Sequence, residues 1–212
     1  MFNFKNKVAV VTGGSRGIGK QIVGDLLNAG CEVIFTATKK PEYDIPDNCH
    51  FKQLLLEDDT SVKDFINYLE NKVRRIDILV NNAGINIVNK ITDIGKDEFK
   101  SVIDVNLVGP AVLTSFVSKK MIERNYGRIV NISSIYGINS KSGRSSYSSS
   151  KFGLIGLTKA TALDLAEHNI LVNCVCPGFV STDLTKKILG NEEMSLLADK
   201  IPVGRLASVE DI

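Results

Sequence analysis

Tyr147 and Lys151 stand four residues apart in "GRSSYSSSKFGLIGLTKA", and both side chains can move a proton. On a helix, positions i and i+4 share a face with Cβ atoms roughly 5–6 Å apart. A phenol has a pKa near ~10, and a neighbouring ammonium favours its ionised form. Tuning it to neutrality would take about 4 kcal/mol, more than one exposed lysine supplies. Burial beside a second cation would have to add the rest. The serine-rich setting could also be a linker. The apolar positions Phe152, Leu154, Ile155 and Leu157 that follow continue a helical pattern instead.

A second chemical feature is the glycine loop "VTGGSRGIG", which follows an apolar run and opens a helical stripe. Glycines at 13, 14, 17 and 19 let a phosphate approach the backbone. The helix start then offers free N–H groups and the positive end of its dipole. The spacing G-x-x-x-G-x-G is not a Walker loop, because no G-K-[ST] closes it. Gly13, Gly14, Ser15, Arg16, Gly17, Ile18 and Gly19 are the candidate phosphate cradle. The second strand ends Thr36-Ala-Thr38-Lys39-Lys40, without the acid that binds a free ribose diol. Arg16, Thr38 and Lys39 suit a ribose phosphate, so the expected cofactor is NADPH (NADP+).

These groups need a scaffold, and the pattern supplies one. Short β-rich runs at 7–13, 32–38, 50–56, 77–84, 127–134 and 170–178 alternate with helical stretches. Their near-continuous apolar character predicts a parallel sheet buried on both faces, a three-layer α/β/α fold in one domain over 1–212. "KKPEYDIPDN" reads as loop where a crossover helix would be usual. Ser61 and Asp64 read as a capping box opening a helix to about Val73. Pro110 inside the stretch 96–125 predicts a kink or break. Ser208 and Asp211 read as a capped helix start just before the last residue, so a C-terminal strand and helix are expected to be missing.

Composition narrows the partners. Hydrophobic residues make up 43%, charged residues 24%, and the formal net charge is +2. Nothing here calls for a nucleic-acid or polybasic membrane partner. The four cysteines form no C-x-x-C pair and the two histidines do not complete a ligand set, so no metal is expected and a cytoplasmic setting is.

Taken together, Thr12-Gly13-x-x-x-Gly17-x-Gly19, Asn81-Asn82-Ala83-Gly84, Asn106, Ser134, Tyr147-x-x-x-Lys151 and Pro177-Gly178 resemble the classical short-chain dehydrogenase/reductase family in order and spacing. The similarity runs from Lys7 to the end of the chain. It implies a Rossmann-type, doubly wound parallel sheet in the order 3-2-1-4-5-6-7. It also assigns roles. Tyr147 would be the general acid, and Ser134 would bind the substrate oxygen. Lys151 would hold the nicotinamide ribose and lower the tyrosine pKa. Asn106 would hold a relay water. Asn82, Ala83 and Gly84 would lie along the cofactor, with Pro177, Gly178 and Val180 at the nicotinamide carboxamide. Hydride addition to a carbonyl makes an alkoxide, which needs such a donor.

"PGFVSTDLTKKIL" and "YGRIVNISSIYG" are especially similar to bacterial 3-oxoacyl-acyl-carrier-protein reductases. The carrier-docking arginines of those enzymes align near Asn125 and His168, so neither is retained, although Arg124 is adjacent; the polar residue beside adenine is replaced by Leu55, with Asp58 a turn later. The expected activity is thus NADPH-dependent reduction of a small carbonyl, 3-oxoacyl-acyl-carrier-protein first. Another small carbonyl or sugar-like substrate comes second, and non-catalytic cofactor binding third. The family resemblance further implies a homotetramer or homodimer.

Overall fold

The computed structural model describes residues 3–189 and 191–212. Among them, six strands form one parallel sheet: β1 Val8–Val11, β2 Glu32–Ala37, β3 Cys49–Gln53, β4 Ile78–Asn81, β5 Gly127–Ile132 and β6 Ile170–Val175. Their order is β3-β2-β1-β4-β5-β6, the first six places of the expected arrangement. The central strands are apolar throughout because both faces are covered. One face carries Val10, Ile34, Leu79 and Ile129 against the helices α2 Asp59–Lys72 and α4 Gly109–Ile122. The other carries Ala9, Val11, Phe35 and Val80 against α1 Gly17–Asn28.

Parallel pairing puts every strand's C-terminal end on one side of the sheet, where ligands bind in open α/β folds. The glycine loop, Thr38, Asn82, Ser134 and Pro177 all leave the sheet there. Residues 38–48 contain no helix, as the prolines predict. Tyr43 from this loop reaches back, its hydroxyl donating to the Ser15 carbonyl at 3.4 Å.

The expected cap of α2 is displaced. Asp58 is the N-cap, its carboxylate accepting from the N–H groups of Thr60 and Ser61. Ser61 instead turns outward from that role and accepts the Leu55 N–H at 2.9 Å. Aspartate precedes the first helical residue and captures both orphan donors, which leaves the serine free to tie down the β3 exit.

The stretch 96–125 forms α3 Lys96–Ile103, a π-helical turn over Asp104–Val108, and α4. Pro110 sits in the first turn of α4, where its missing N–H costs least. The expected kink or break is instead a widened turn placed before the proline, and the helix continues through it. By length and apolar composition the continuous helix 96–122 could cross a bilayer, yet half of that segment is buried within the protein.

The last turn, Val209–Asp211, opens as expected: Asp211 Oδ2 accepts the Ser208 N–H at 2.7 Å. The segment before it returns to the sheet end, with Ser181 N–H bonded to the Ala207 carbonyl at 2.8 Å.

Candidate active site

Helix α5, Ser145–Leu165, carries Tyr147 and Lys151 on one face and lays them along the end of β5. Lys151 is 4% exposed, and its ammonium donates to the Ile132 carbonyl at 2.8 Å. Burial pulls its pKa down to about 8, against the opposing pull of the Cys174 and Cys176 thiols. Tyr147 is pushed the other way. Burial raises its pKa, while a hydrogen bond with Ser134 and the charge of Arg144 act to lower it. The Lys151 ammonium lies 5.7 Å from the tyrosine ring centroid and is engaged by Ile132.

The structure separates the two adjacent serines. Ser133 donates to the Lys151 backbone carbonyl at 3.0 Å and so clamps α5 to the sheet. Ser134 accepts the Tyr136 N–H at 3.1 Å and pairs with the Tyr147 phenol. Tyr136 packs edge-on to Tyr147, and Phe179 packs edge-on to Tyr136, forming an aromatic wall.

Asn106 lies in the π-helical turn and is fully buried. The widened turn aims its amide at β4's exit loop, where Oδ1 accepts from Ile85 N–H and Nδ2 donates to Ile85 O, both at 2.9 Å. Nδ2 also donates to Ser150 at 3.0 Å. A methyl group built on Gly84 would lie 3.3 Å from Asn106 Oδ1 and 3.5 Å from Lys151 Nζ, so Gly84, Asn106 and Lys151 share one small space.

On the other side of the crevice, Thr12 organises the turn after β4. Its hydroxyl accepts from Asn82 N–H and Ala83 N–H, both at 3.0 Å. Asn82 Nδ2 in turn donates to the carbonyls of Thr12 and Gly13. Gly13 takes a positive φ of 68°, and a Cβ on Gly19 would lie 2.2 Å from its carbonyl oxygen. Only glycine permits that approach. Helix α1 starts at Gly17 with no side-chain cap, so its first N–H groups face the crevice unpaired. Arg16, Thr38 and Lys39 are exposed beside it. An uncapped helix start with cations and no carboxylate fits a phosphorylated dinucleotide.

Of the β6 exit residues, Pro177 accepts the Ile135 N–H at 2.8 Å and Gly178 is exposed. Val180 is buried and bridges to Ala207. Below the site runs a buried polar chain that the sequence reading missed. Asn81 Nδ2 donates to Asn131 Oδ1 at 2.8 Å, and Asn131 Nδ2 donates to Thr158 at 2.9 Å. Asn81 and Asn131 are cross-strand partners on β4 and β5, and an asparagine inside each otherwise apolar run was the available signal. Arg144, three residues before Tyr147, was also missed because a surface arginine is the common case.

A family profile described as short chain dehydrogenase matches residues 7–193. The chain belongs to the short-chain dehydrogenase family. It is an oxidoreductase of alcohol and ketone groups that uses a nicotinamide dinucleotide. The 3-oxoacyl-[acyl-carrier-protein] reductase FabG of Aquifex aeolicus is 39% identical over 98% of this chain and 87% of its own length. The structure of 4-hydroxyisoleucine dehydrogenase complexed with NADH matches with a TM-score of 0.90 at 31% identity, covering 97% of this chain and 87% of that one. The ligand-free aldohexose dehydrogenase of Thermoplasma acidophilum matches at 0.90 and 31%, covering 98% and 84%.

Proposed function

We propose that this short-chain dehydrogenase is an NADPH-dependent reductase of 3-oxoacyl thioesters, and that it depends only weakly on a carrier protein. The observation that carries the reading is the convergence of Tyr147, Ser134 and Lys151 at the mouth of the crevice, opposite the uncapped start of α1. The relative in Aquifex aeolicus, 39% identical over 98% of this chain, supports the acyl substrate.

When bound, the dihydronicotinamide supplies the hydride that reaches the carbonyl carbon. The chain's own residues do the rest. Ser134 holds the carbonyl oxygen, and Tyr147 gives up its phenolic proton as that oxygen gains charge, leaving an alcohol and a phenolate. The buried Lys151 ammonium stabilises that phenolate and holds the cofactor ribose. Asn106 keeps the β4 exit loop in place and leaves a second lone pair of Oδ1 for a proton-relay water. The glycine loop from Gly13 to Gly19 binds the pyrophosphate, while Arg16, Thr38 and Lys39 bind the ribose phosphate. Asn82, Ala83 and Gly84 line the cofactor, and Pro177, Gly178 and Val180 shape the carboxamide end.

The carrier-docking positions support weak carrier dependence. Asn125 takes a left-handed conformation with its carbonyl bonded to Asn169, and His168 pairs with Glu167. Neither presents a cation like arginine to an acidic carrier. Exposed Val112, Phe152 and Leu163 on α4 and α5 support pairing of those helices in a homodimer or homotetramer. Free thiols at all four cysteines suit a reducing cytoplasm.

NADPH oxidation with acetoacetyl thioesters, free and carrier-linked, tests the assignment. Tyr147→Phe should lower kcat by about 10³-fold while the NADPH Kd stays within a few fold. Unchanged turnover would remove Tyr147 from the mechanism. Higher kcat/KM with NADH than with NADPH would remove Arg16 and Lys39 from cofactor selection.

A further inference from the structure

Arg144 is the most anomalous charge in the molecule outside the proton-transfer set. It is 6% exposed, yet Nε and Nη1 are buried without a hydrogen-bond partner. Among the described residues no carboxylate pairs with it. Its nearest notable neighbour is the Tyr136 ring, 5.5 Å from Cζ, and that ring packs edge-on to Tyr147. Buried guanidinium groups are normally satisfied, because an unpaired buried charge is costly.

The surroundings repeat the sign. Arg144 is the N-cap position of α5, a helix of 21 residues that has no side-chain cap, so its first N–H groups are free. The Ser145 hydroxyl beside it is likewise buried without a partner. Arg144 and Ser145 line an open cleft of about 390 Å³, together with Lys90 and Lys141. No carboxylate lines that cleft. The Tyr136 ring links the cleft to the proton donor: it lies 5.5 Å from Arg144 Cζ and its centroid is 6.4 Å from that of Tyr147, whose phenol feels the Arg144 charge.

We propose that Arg144, Ser145 and the start of α5 form a carboxylate-binding subsite, so that the protein reduces oxo acids whose carboxylate lies a few bonds from the ketone. A guanidinium fork matches the two oxygens of a carboxylate, and a helix start adds N–H donors to the same anion. The inference rests on the reading of Tyr147 as the proton donor, since that residue fixes where the ketone oxygen lies. It extends the substrate class from thioesters, which are neutral at this position, to their free-acid counterparts and related short oxo acids.

The test compares acetoacetate with ethyl acetoacetate by the ratio of their kcat/KM values, in the wild-type protein, Arg144→Gln and Arg144→Lys. Arg144→Gln should lower the acid-to-ester ratio by about 10- to 100-fold, the range of a charge-assisted hydrogen bond, whatever happens to ester turnover alone. Arg144→Lys should recover part of that ratio. A merely structural role for Arg144 would change both substrates together and leave the ratio intact, which would overturn the subsite. A binding measurement separates this from failure of the catalytic reading. Calorimetric titration of the NADP+-loaded protein with pentanoate should saturate, weaken at least tenfold in Arg144→Gln, and show no counterpart with pentanamide. That result with no ketone turned over would sink the reductase reading and keep the subsite. Equal pentanoate binding in the two proteins, or none in either, would end the proposal.

Discussion

The two sides of the crevice solve different problems. The side built from β1, α1 and the β4 exit is closed on itself by short hydrogen bonds. Thr12 and Asn82 lock two turns together, and Gly19 permits backbone to touch backbone. The side built from β5 and α5 holds cations that the fold leaves incompletely compensated. Lys151 donates to one carbonyl, that of Ile132, and among the described residues Nε and Nη1 of Arg144 are buried with no hydrogen-bond partner. Binding a dinucleotide backbone needs shape, which glycines and amides supply. Moving a proton needs charge at a dry position, and such charge costs stability wherever it stands.

That contrast can be broken at the glycine loop. Gly19→Ala drives a methyl group into the Gly13 carbonyl. It should cost about 3 kcal/mol of stability, the upper range for overpacking, and cofactor binding should fall with it. Denaturant melts with and without NADP+ check both. A variant with unchanged stability would show that the turn can relax.

Two buried charges sharpen the contrast because they should respond with opposite signs. Asp77 is 1% exposed. Burial opposes its ionisation, but Arg75, the Val8 N–H and Lys7 together hold its pKa below the ordinary aspartate range. Asp77→Asn should destabilise the protein by about 2 kcal/mol near neutrality. A depressed carboxylate contributes stability above its unfolded pKa and loses it as pH falls through the folded one. The deficit of the variant should therefore shrink in acid. Melting curves from pH 7 downward measure this; a constant deficit would contradict the pairing.

Lys151→Met should do the reverse, abolishing turnover while raising unliganded stability by about 1–2 kcal/mol after loss of the Ile132 bond. The lysine pKa falls from an ordinary 10.5 to about 8, so the native state binds fewer protons than the unfolded state between those values. Wild-type stability thus rises with pH across that window, and the variant's advantage is full below about pH 8 and fades above it. Destabilisation by Lys151→Met at neutral pH would mean that the ammonium is compensated after all.

The smallest effect expected is at Gly156, inside α5 with open space where a Cβ would stand. Gly156→Ala should stabilise by about 0.5–1 kcal/mol and leave turnover alone, since it changes only helix propensity. A loss of activity there would extend the sensitive region beyond the first turns of α5.

Strand alternation, the glycine spacing and the Tyr147–Lys151 interval were legible because each depends on residues close in the chain. The loop at 38–48 was legible for the same reason, since prolines forbid a helix locally. The α2 cap was misplaced by three residues because two acceptors, Asp58 and Ser61, compete for the same donors, and only the neighbouring Leu55 N–H decides between them. The widened turn at Asp104–Val108 had a visible proxy in Pro110 but not a visible position.

The sequence by itself determined the parallel α/β sheet through periodicity and, through motifs that resemble a known family in order and spacing, the family, because both are carried by residues close in the chain. Only the tertiary structure decided what the rival Ser133 does, where Asn106 spends its amide, and that Nε and Nη1 of Arg144 are buried without a hydrogen-bond partner. Those outcomes depend on dielectric and on contacts between segments far apart in the chain, and no local pattern encodes either.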